Sequence, residues 1–295
     1  MRCPTYVLVT PVRDEVKTVG RTIESVVGQT RLPKEWVIVS DGSTDGTDEV
    51  IESASLERPW IRLLKLPARP ERSFAAVVQN TELGVAALEC RHFDYLGLLD
   101  ADVEFPADYY ERVIRHFEEN PRLGLGGGVV IDVGSGPFRL PRNRLDVPGA
   151  VQFFRRECFA SLGPLYQVPE GGWDCLTCVV ARMNGFETRL LPELVVKHLK
   201  PRNVAEGGVF ARQWQLGERD YAVGYGLGFA AAKWLAHAIG PSALVGSVAA
   251  LLGYTGAVLR GRPRIVPREV IDFMRKEQRD RLRRIFVPRS ANAPR

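Results

Sequence analysis

Apolar residues in the first hundred positions form two alternating patterns, short continuous runs and longer helical repeats. The runs are rich in β-branched residues, which is typical of strands buried on both faces of a sheet. They cover residues 6–10, 36–40, 61–66 and 95–99. Apolar residues recur at helical spacing between them, within 16–29, 47–54 and 74–90. Strands that alternate with helices predict βαβ units and therefore an α/β fold, with a mostly parallel sheet covered by helices.

The second half of the chain predicts shorter elements separated by more loop. Residues 124–130 are rich in glycine and predict a strand whose backbone is approached closely by a ligand. Residues 132–148 hold many Gly, Pro and Arg residues and predict a loop. The other expected elements are a strand at 151–154, short apolar segments at 188–191 and 194–198, and helices at 158–162 and 175–184.

A long uncharged segment precedes a basic tail. Residues 235–259 contain no Lys, Arg, Asp or Glu, and the segment is long enough to cross a bilayer. Gly240-Pro241 interrupts it, however, and basic residues flank both ends, which fits a single crossing poorly. We therefore expect a broken pair of helices at the cytoplasmic face of the inner or plasma membrane, peripheral or monotopic, with a buried helical hairpin as the alternative.

The charge distribution and the cysteine content indicate the kind of binding partner and the cellular compartment. The net charge is +5, but residues 260–295 hold twelve Lys and Arg against four Asp and Glu. This tail predicts an anionic membrane surface as partner, and not nucleic acid, because no aromatic residues are interleaved with its charges. Five cysteines without disulfide spacing indicate a reducing, cytoplasmic compartment. Cys175 and Cys178 form a single CxxC motif. We interpret them as two half-buried positions one turn apart on a helix, and not as a zinc or redox site.

Polar residues follow three of the predicted strands. Thr10 and Pro11, then Asp41, then Asp100 and Asp102 stand where the strands end. Ligands of such sheets bind beyond the carboxyl ends of the strands, so these residues are expected to converge on one edge. Two carboxylates one residue apart repel each other unless a cation shares the site. Mg²⁺ and Mn²⁺ are typically held by one or two carboxylates together with substrate phosphate oxygens, so the pair predicts a phosphorylated ligand.

Two downstream residues are further candidates. His198 ends an apolar segment, where a neutral imidazole is able to join the metal ligands. Asp174 stands at the start of a predicted helix, where an acid suits the helix dipole and is also placed to act as a general base. Glu170, four residues earlier, is a rival for that role.

The segments VTPVRDEVKTVGRTIESVVGQT, VIVSDGSTDGT and LLDADV, followed by an acid before a helix, resemble the inverting family 2 glycosyltransferases of the GT-A fold. The resemblance covers about residues 5–200. It implies metal-assisted transfer of a sugar from a nucleotide-diphosphate sugar to a hydroxyl acceptor, with Asp174 as base and Mn²⁺ or Mg²⁺ as cofactor. The resemblance also implies Asp102 and His198 as metal ligands, and as nucleotide-sugar-binding residues Thr10, Pro11, Glu15, Asp41, Arg72, Asp100 and Ala101.

The chain departs from the family pattern at several positions. Trp173-Asp174 stands in place of the usual Glu-Asp pair, and Gln79-Asn80 in place of Arg-Asn, so that Arg69 or Arg72 is expected to serve the phosphates instead. Gln213-Trp214 lacks the Arg of the motif of polymerising members, which favours transfer of one sugar. The tail resembles membrane-associated bacterial members that build polysaccharides or glycolipids, which implies a glycan or lipid-linked acceptor.

The expected organisation is a catalytic domain over 1–215 and a helical, membrane-associating appendage over 216–295. Two other functions compete with sugar transfer. A catalytically silent subunit would bind the sugar nucleotide without a base facing the metal. A nucleotidyltransferase on a related fold would need a glycine-rich loop after the first strand, and TPVRDEV has no glycine. The oligomeric state is not predicted.

Overall fold

The computed structural model describes residues 3–68, 74–134, 140, 143–200, 208–237 and 241–286. The strands are β1 (Tyr6–Val12), β2 (Glu35–Asp41), β3 (Ile61–Leu66), β4 (Tyr95–Leu99), β5 (Val103–Glu104), β6 (Leu123–Asp132), β7 (Val151–Arg155) and β8 (Glu187–His198). The helices are α1 (Val19–Val27), α2 (Thr47–Glu57), α3 (Phe74–Ala86), α4 (Tyr109–Glu119), α5 (Arg156–Ser161), α6 (Trp173–Met183), α7 (Gly208–Ala222), α8 (Leu227–His237), α9 (Pro241–Leu259) and α10 (Arg268–Phe286).

The eight strands form one mixed sheet in the order β3-β2-β1-β4-β7-β6-β8-β5. The pairs β1–β2, β2–β3, β1–β4 and β6–β8 are parallel. The pairs β4–β7, β6–β7 and β5–β8 are antiparallel. The predicted α/β class with a mostly parallel sheet is therefore confirmed. The antiparallel strand β7 was not foreseen as such, because its direction follows from the loop before it and not from its own residues.

Large buried side chains on one face of the sheet form the main core. Tyr6, Tyr110 and Phe153 lie together there, with ring centroids 4.8 Å apart between the two tyrosines and 5.8 Å apart between Tyr6 and Phe153. All three are almost completely removed from solvent. Aromatic packing of this kind contributes about 0.5 to 1.5 kcal/mol per pair beyond the burial of area. It packs α4 against β1 and β7 at the centre of the sheet.

The glycine-rich strand β6 is crowded by neighbouring parts of the chain. A Cβ on Gly127 would lie 2.3 Å from the carbonyl oxygen of Val151, and a Cβ on Gly128 would lie 2.3 Å from that of Leu194. The close approach expected from the glycines is therefore made by backbone of β7 and β8. The segments predicted at 188–191 and 194–198 are one strand, β8, with a register shift between them.

A buried carboxylate ties β2 to the segment before β4. Glu35 accepts hydrogen bonds from the backbone N–H groups of Glu89 and Cys90 and pairs with Arg62 at 2.5 Å. Burial pushes the pKa of Glu35 up, but these hydrogen bonds and the guanidinium outweigh it and hold the pKa below its usual 4.5. The ionised form is therefore the one that stabilises the fold.

The contacts divide the chain into two compact units, 1–169 with 173–202, and 170–172 with 203–295. The domain division expected after residue 215 stays a prediction. In the second unit α7 and α9 pack backbone to backbone, since a Cβ on Gly217 would lie 1.8 Å from the carbonyl oxygen of Ala250. The buried Asp220 is neutralised there by Lys233 at 2.7 Å. Among the helices described, none combines the length and the apolar character needed to cross a membrane.

Candidate active site

The turn that contains Asp100 and Asp102 follows β4 at the edge of the sheet, and hydrogen bonds from α1 fix its backbone. The hydroxyl of Thr22, buried in α1, donates to the carbonyl oxygens of Ala101 and Val103 and accepts from the N–H of Val103. Ala101 is itself 4% exposed. The backbone between the two acids is therefore fixed, and their side chains are left half-buried at the edge.

Asp100, Asp102 and His198 meet as predicted from the strand ends. Each offers one ligand atom, and these atoms all lie within 4.8 Å of one another. His198 arrives on β8, which pairs with the two-residue strand after the turn so that Val103 lies opposite His198. Two carboxylate oxygens and an imidazole nitrogen suit Mn²⁺, and Mg²⁺ with its preference for oxygen also fits the carboxylates.

The orientation of the His198 ring supports a cation at this position. Its Nδ1 is hydrogen-bonded to the carbonyl oxygen of Lys200, and because a carbonyl only accepts, Nδ1 carries the proton. The Nε2 lone pair of the neutral ring then faces Asp102 Oδ1 at 3.3 Å. A lone pair against a carboxylate is unfavourable unless a proton or a metal ion lies between them. Asp132, which is paired with His198 in the sheet, adds a carboxylate 3.8 Å from Nδ1.

Glu15 lies at the same edge and is paired with a lysine that the sequence did not single out. Lys200 Nζ is 2.5 Å from Glu15 Oε2, which links the loop after β1 to the end of β8. Burial raises the pKa of Asp102; Glu15 adds to the rise, whereas His198 and Lys200 oppose it. Without a metal, the edge therefore holds more negative charge than its cations balance.

Asp41, predicted to hold a nucleotide base, is 4% exposed at the end of β2. Arg13 lies beside it, with Nη1 3.7 Å from Oδ2. The loops after β1 and β2 are joined by Asp14, which adopts a positive φ of 53° and accepts from the N–H of Thr44. Arg13 was missed, although its position three residues after Thr10 in the same strand-end segment was a usable signal.

Asp174 lies in the first turn of α6 and is connected to the acidic turn by two hydrogen bonds. Its Oδ2 accepts from the N–H of Gly149 at 3.1 Å, and the carbonyl of the next residue, Ala150, accepts from the N–H of Asp100 at 3.1 Å. Gln152 donates to the carbonyl of Asp174 and holds the start of the helix. The structure thus brings Asp174 to the edge where the predicted metal ligands lie.

The remaining candidates are placed differently. Thr10 is fully buried within β1, which ends two residues later than predicted, at Val12, and its hydroxyl accepts from the Trp36 indole. Pro11 follows it and is half-buried. Glu170 is paired with Arg262 at 2.7 Å within the second unit. Arg72, like Arg69, lies outside the described residues.

The two cysteines of the CxxC differ in their surroundings. Cys178 is fully buried in α6 and accepts from the N–H of Val147, and burial raises its pKa well above the usual value. Cys175 is half-buried, and both are free thiols. Within the described residues, the one cluster of possible metal ligands is that of Asp100, Asp102 and His198.

Comparison with known proteins agrees with this geometry. The sequence profile described as "Glycosyl transferase family 2" matches residues 7–186. The succinoglycan biosynthesis protein ExoA of Rhizobium meliloti (strain 1021) is 33% identical over 108 residues, which are 36% of this chain. The match spans 31% of the length of that relative.

Solved structures share the fold at low sequence identity. A mannosyltransferase, PcManGT from Pyrobaculum calidifontis, in complex with GDP-Man and Mn²⁺, superposes with a TM-score of 0.56 at 17% identity, over 95% of this chain and 81% of that one. TarS 1–349 of S. aureus in complex with UDP-GlcNAc superposes with a TM-score of 0.54 at 12% identity, over 85% of this chain and 71% of that one. The sheet flanked by helices is accordingly the expected GT-A fold, and the chain belongs to glycosyltransferase family 2.

Proposed function

We propose that the chain transfers one sugar from a nucleotide-diphosphate sugar to a hydroxyl group of a glycan or lipid-linked acceptor, with inversion at the anomeric carbon. The observation that carries this proposal is the connection of Asp174 to the acidic turn through Gly149 and Ala150. It supports Asp174 as a general base close to Asp100 and Asp102. A silent binding subunit would not require that base.

Different residues of this edge would bind the nucleobase, the ribose and the metal ion. Asp41, buried at the end of β2, would accept an N–H of the nucleobase, and Asp100 would accept a ribose hydroxyl. Asp102 and His198 would hold Mn²⁺ or Mg²⁺, which when bound supplies positive charge against the leaving diphosphate. The similar solved structures are complexes with GDP-Man and with UDP-GlcNAc, so both guanine and uracil are candidate bases of the donor.

The reaction is a single displacement. The acceptor oxygen attacks the anomeric carbon, and the bond from that carbon to the phosphate oxygen breaks, which releases the nucleoside diphosphate. The acceptor proton passes to the carboxylate of Asp174. The hydrogen bond from the Gly149 N–H fixes one oxygen of this carboxylate. Attack on the face opposite the leaving group inverts the configuration, and general-base help of this kind contributes about 10² to 10⁴ in rate.

Donor binding is tested by calorimetric titration of UDP, GDP and dTDP, each with Mn²⁺ and with EDTA. One nucleotide should bind in the presence of Mn²⁺, and Asp102→Ala should lose that binding. If none of the three binds, the donor site is wrong. The bound nucleotide then identifies the donor for the rate measurements.

The base is tested by release of nucleoside diphosphate from that donor in the presence of acceptor. Asp174→Asn keeps an oxygen for the Gly149 N–H and loses only the hydrogen bond that the neighbouring Cys175 N–H donates to Oδ1. It should therefore fold and bind donor while turnover falls about 10²- to 10⁴-fold. Glu170→Gln is the matched control because Glu170 is engaged by Arg262. A loss in Glu170→Gln with full turnover in Asp174→Asn would transfer the role to Glu170.

A further inference from the structure

Helix α9 presents a row of large apolar side chains to solvent. The helix has 19 residues, none of them charged, and is about 28 Å long. Its most exposed apolar side chains are Leu244 (53%), Val245 (58%), Val248 (47%), Leu252 (48%), Val258 (46%) and Leu259 (88%). Residues 244, 248, 252 and 259 recur at intervals of about one or two helical turns. They lie along one face for the whole length of the helix.

The opposite face of α9 carries the small residues and is the packed one. Ala250 and Ala257 are fully buried, and a Cβ on Gly253 would lie 2.2 Å from the carbonyl oxygen of Trp214 on α7. A helix on the surface of a soluble protein normally has the reverse order, with large apolar residues inward and polar residues outward. Small residues between helices, with large aliphatic residues outward, suit a helix whose outer face meets an apolar medium.

Exposed arginines continue directly from the end of this row. Arg260, Arg262 and Arg264 follow Leu259 in an exposed segment that also contains Ile265. Glu218 engages the first two, but Arg264 lies over the face of the Tyr221 ring. Between residues 208 and 286 the sequence holds thirteen Lys and Arg against six Asp and Glu. The chemistry beside the apolar row is therefore cationic.

We propose that this face of α9, together with the arginine-rich turn after it, lies on an anionic lipid bilayer, with the helix axis along the surface. The apolar side chains would enter the boundary between headgroups and acyl chains, and the arginines would contact the phosphates. A neutral apolar partner protein would leave the excess positive charge of this segment unused. The inference is independent of the sugar chemistry, because it uses none of the residues assigned to the donor or the base.

The test is flotation of the full chain with vesicles of phosphatidylcholine alone and with about one third phosphatidylglycerol. The chain should float with the anionic vesicles, and less so with neutral vesicles or in high salt. Leu252→Glu and Leu259→Glu should each reduce binding about tenfold or more. The matched control is Leu56→Glu, since Leu56 is 87% exposed on α2 in the other unit, and it should bind like the wild type.

Folding and self-association are measured on the same variants. Circular dichroism and melting should be unchanged in the variants, because both substituted positions are already exposed. Absence of wild-type flotation, or equal flotation of all variants, would overturn the proposal. A wild-type dimer that becomes monomeric in Leu252→Glu, without vesicle binding, would instead assign the face to a second copy of the chain. Donor titration is unaffected by any of these outcomes, so failure here and failure of the proposed function are distinguishable.

Discussion

Replacing Asp102 with asparagine should stabilise the metal-free protein and abolish its stabilisation by Mn²⁺. In the metal-free state the ligand oxygens of Asp100 and Asp102 lie within 4.8 Å of each other. Burial already raises the pKa of Asp102, and Glu15 raises it further. The asparagine side chain keeps the shape of the site, removes one negative charge and is able to donate to the His198 ring.

The size of the effect follows from the distance. Two unit charges 4.8 Å apart repel by about 3.5 kcal/mol at an effective dielectric constant near 20. Lys200 is a nearby cation and offsets part of this repulsion, so the expected gain is about 1 kcal/mol, or roughly 2 to 4 °C in Tm for a unit of this size. Mn²⁺ at about 100 times its Kd should add about 2.7 kcal/mol to the wild type, roughly 5 to 10 °C, and nothing to the variant.

The assay is a thermal melt of both proteins with EDTA and with Mn²⁺. Asp108→Asn is the matched control, because Asp108 is a half-exposed carboxylate 3.7 Å from Arg112 and away from the acidic turn. The control should keep the full Mn²⁺ shift. A lower Tm for metal-free Asp102→Asn would refute the repulsion argument. An unchanged Mn²⁺ shift in that variant would refute the metal site.

Three further outcomes are expected. Gly128→Ala should lower the free energy of unfolding by about 1 to 3 kcal/mol and weaken the Mn²⁺ shift, because its Cβ would lie 2.3 Å from a backbone oxygen of β8. Gly20→Ala is the control in the same melts. A Cβ at Gly20, in α1, would have its nearest neighbour at 4.0 Å, so this variant should be neutral or stabilising. Titration with a thiol reagent should modify the exposed Cys3 quickly and the buried Cys178 only on unfolding. Because the pKa of Glu35 is lowered in the fold, its ionised form stabilises the protein fully above about pH 4.5, and this contribution is lost as the pH falls below that value. Urea unfolding should therefore show that Glu35→Gln is most destabilised relative to the wild type at neutral pH and progressively less so in acid.

The sequence indicates which strand ends share an edge of the sheet, and it predicted that His198 joins Asp100 and Asp102 there. Strand ends are marked by a change from apolar to polar residues, and parallel strands bring their carboxyl ends together, so Asp41, Asp100 and Asp102 were placed without coordinates. The partners of these acids were not predicted. Arg13 and Lys200 are charged residues in loops, and periodicity carries no information about which acid a loop cation faces. The packing of α9 was also hidden, because composition alone does not reveal that its small residues face inward.

The side of the sheet on which His198 lies depends on an irregularity in β8. Gly128 pairs with Leu191, but the next residue of β6, Val129, pairs with Val195, so residues 192–194 have no partner on β6. Three extra residues are an odd number, and an odd shift reverses the face on which every later side chain lies. Strict alternation from Leu191 would therefore put the imidazole on the face away from Asp132.

The same irregularity in β8 explains why the facing position of β6 is a glycine. The carbonyl oxygen of Leu194 lies 2.3 Å from where a Cβ of Gly128 would be, so the extra residues of β8 fit only against a bare backbone. The glycine run thus serves the predicted metal site from a distance. The bare backbone of Gly128 leaves room for the bulge in β8, and the bulge orients His198 toward Asp102. A side chain at position 128 would therefore disturb His198, a predicted metal ligand, without contacting it.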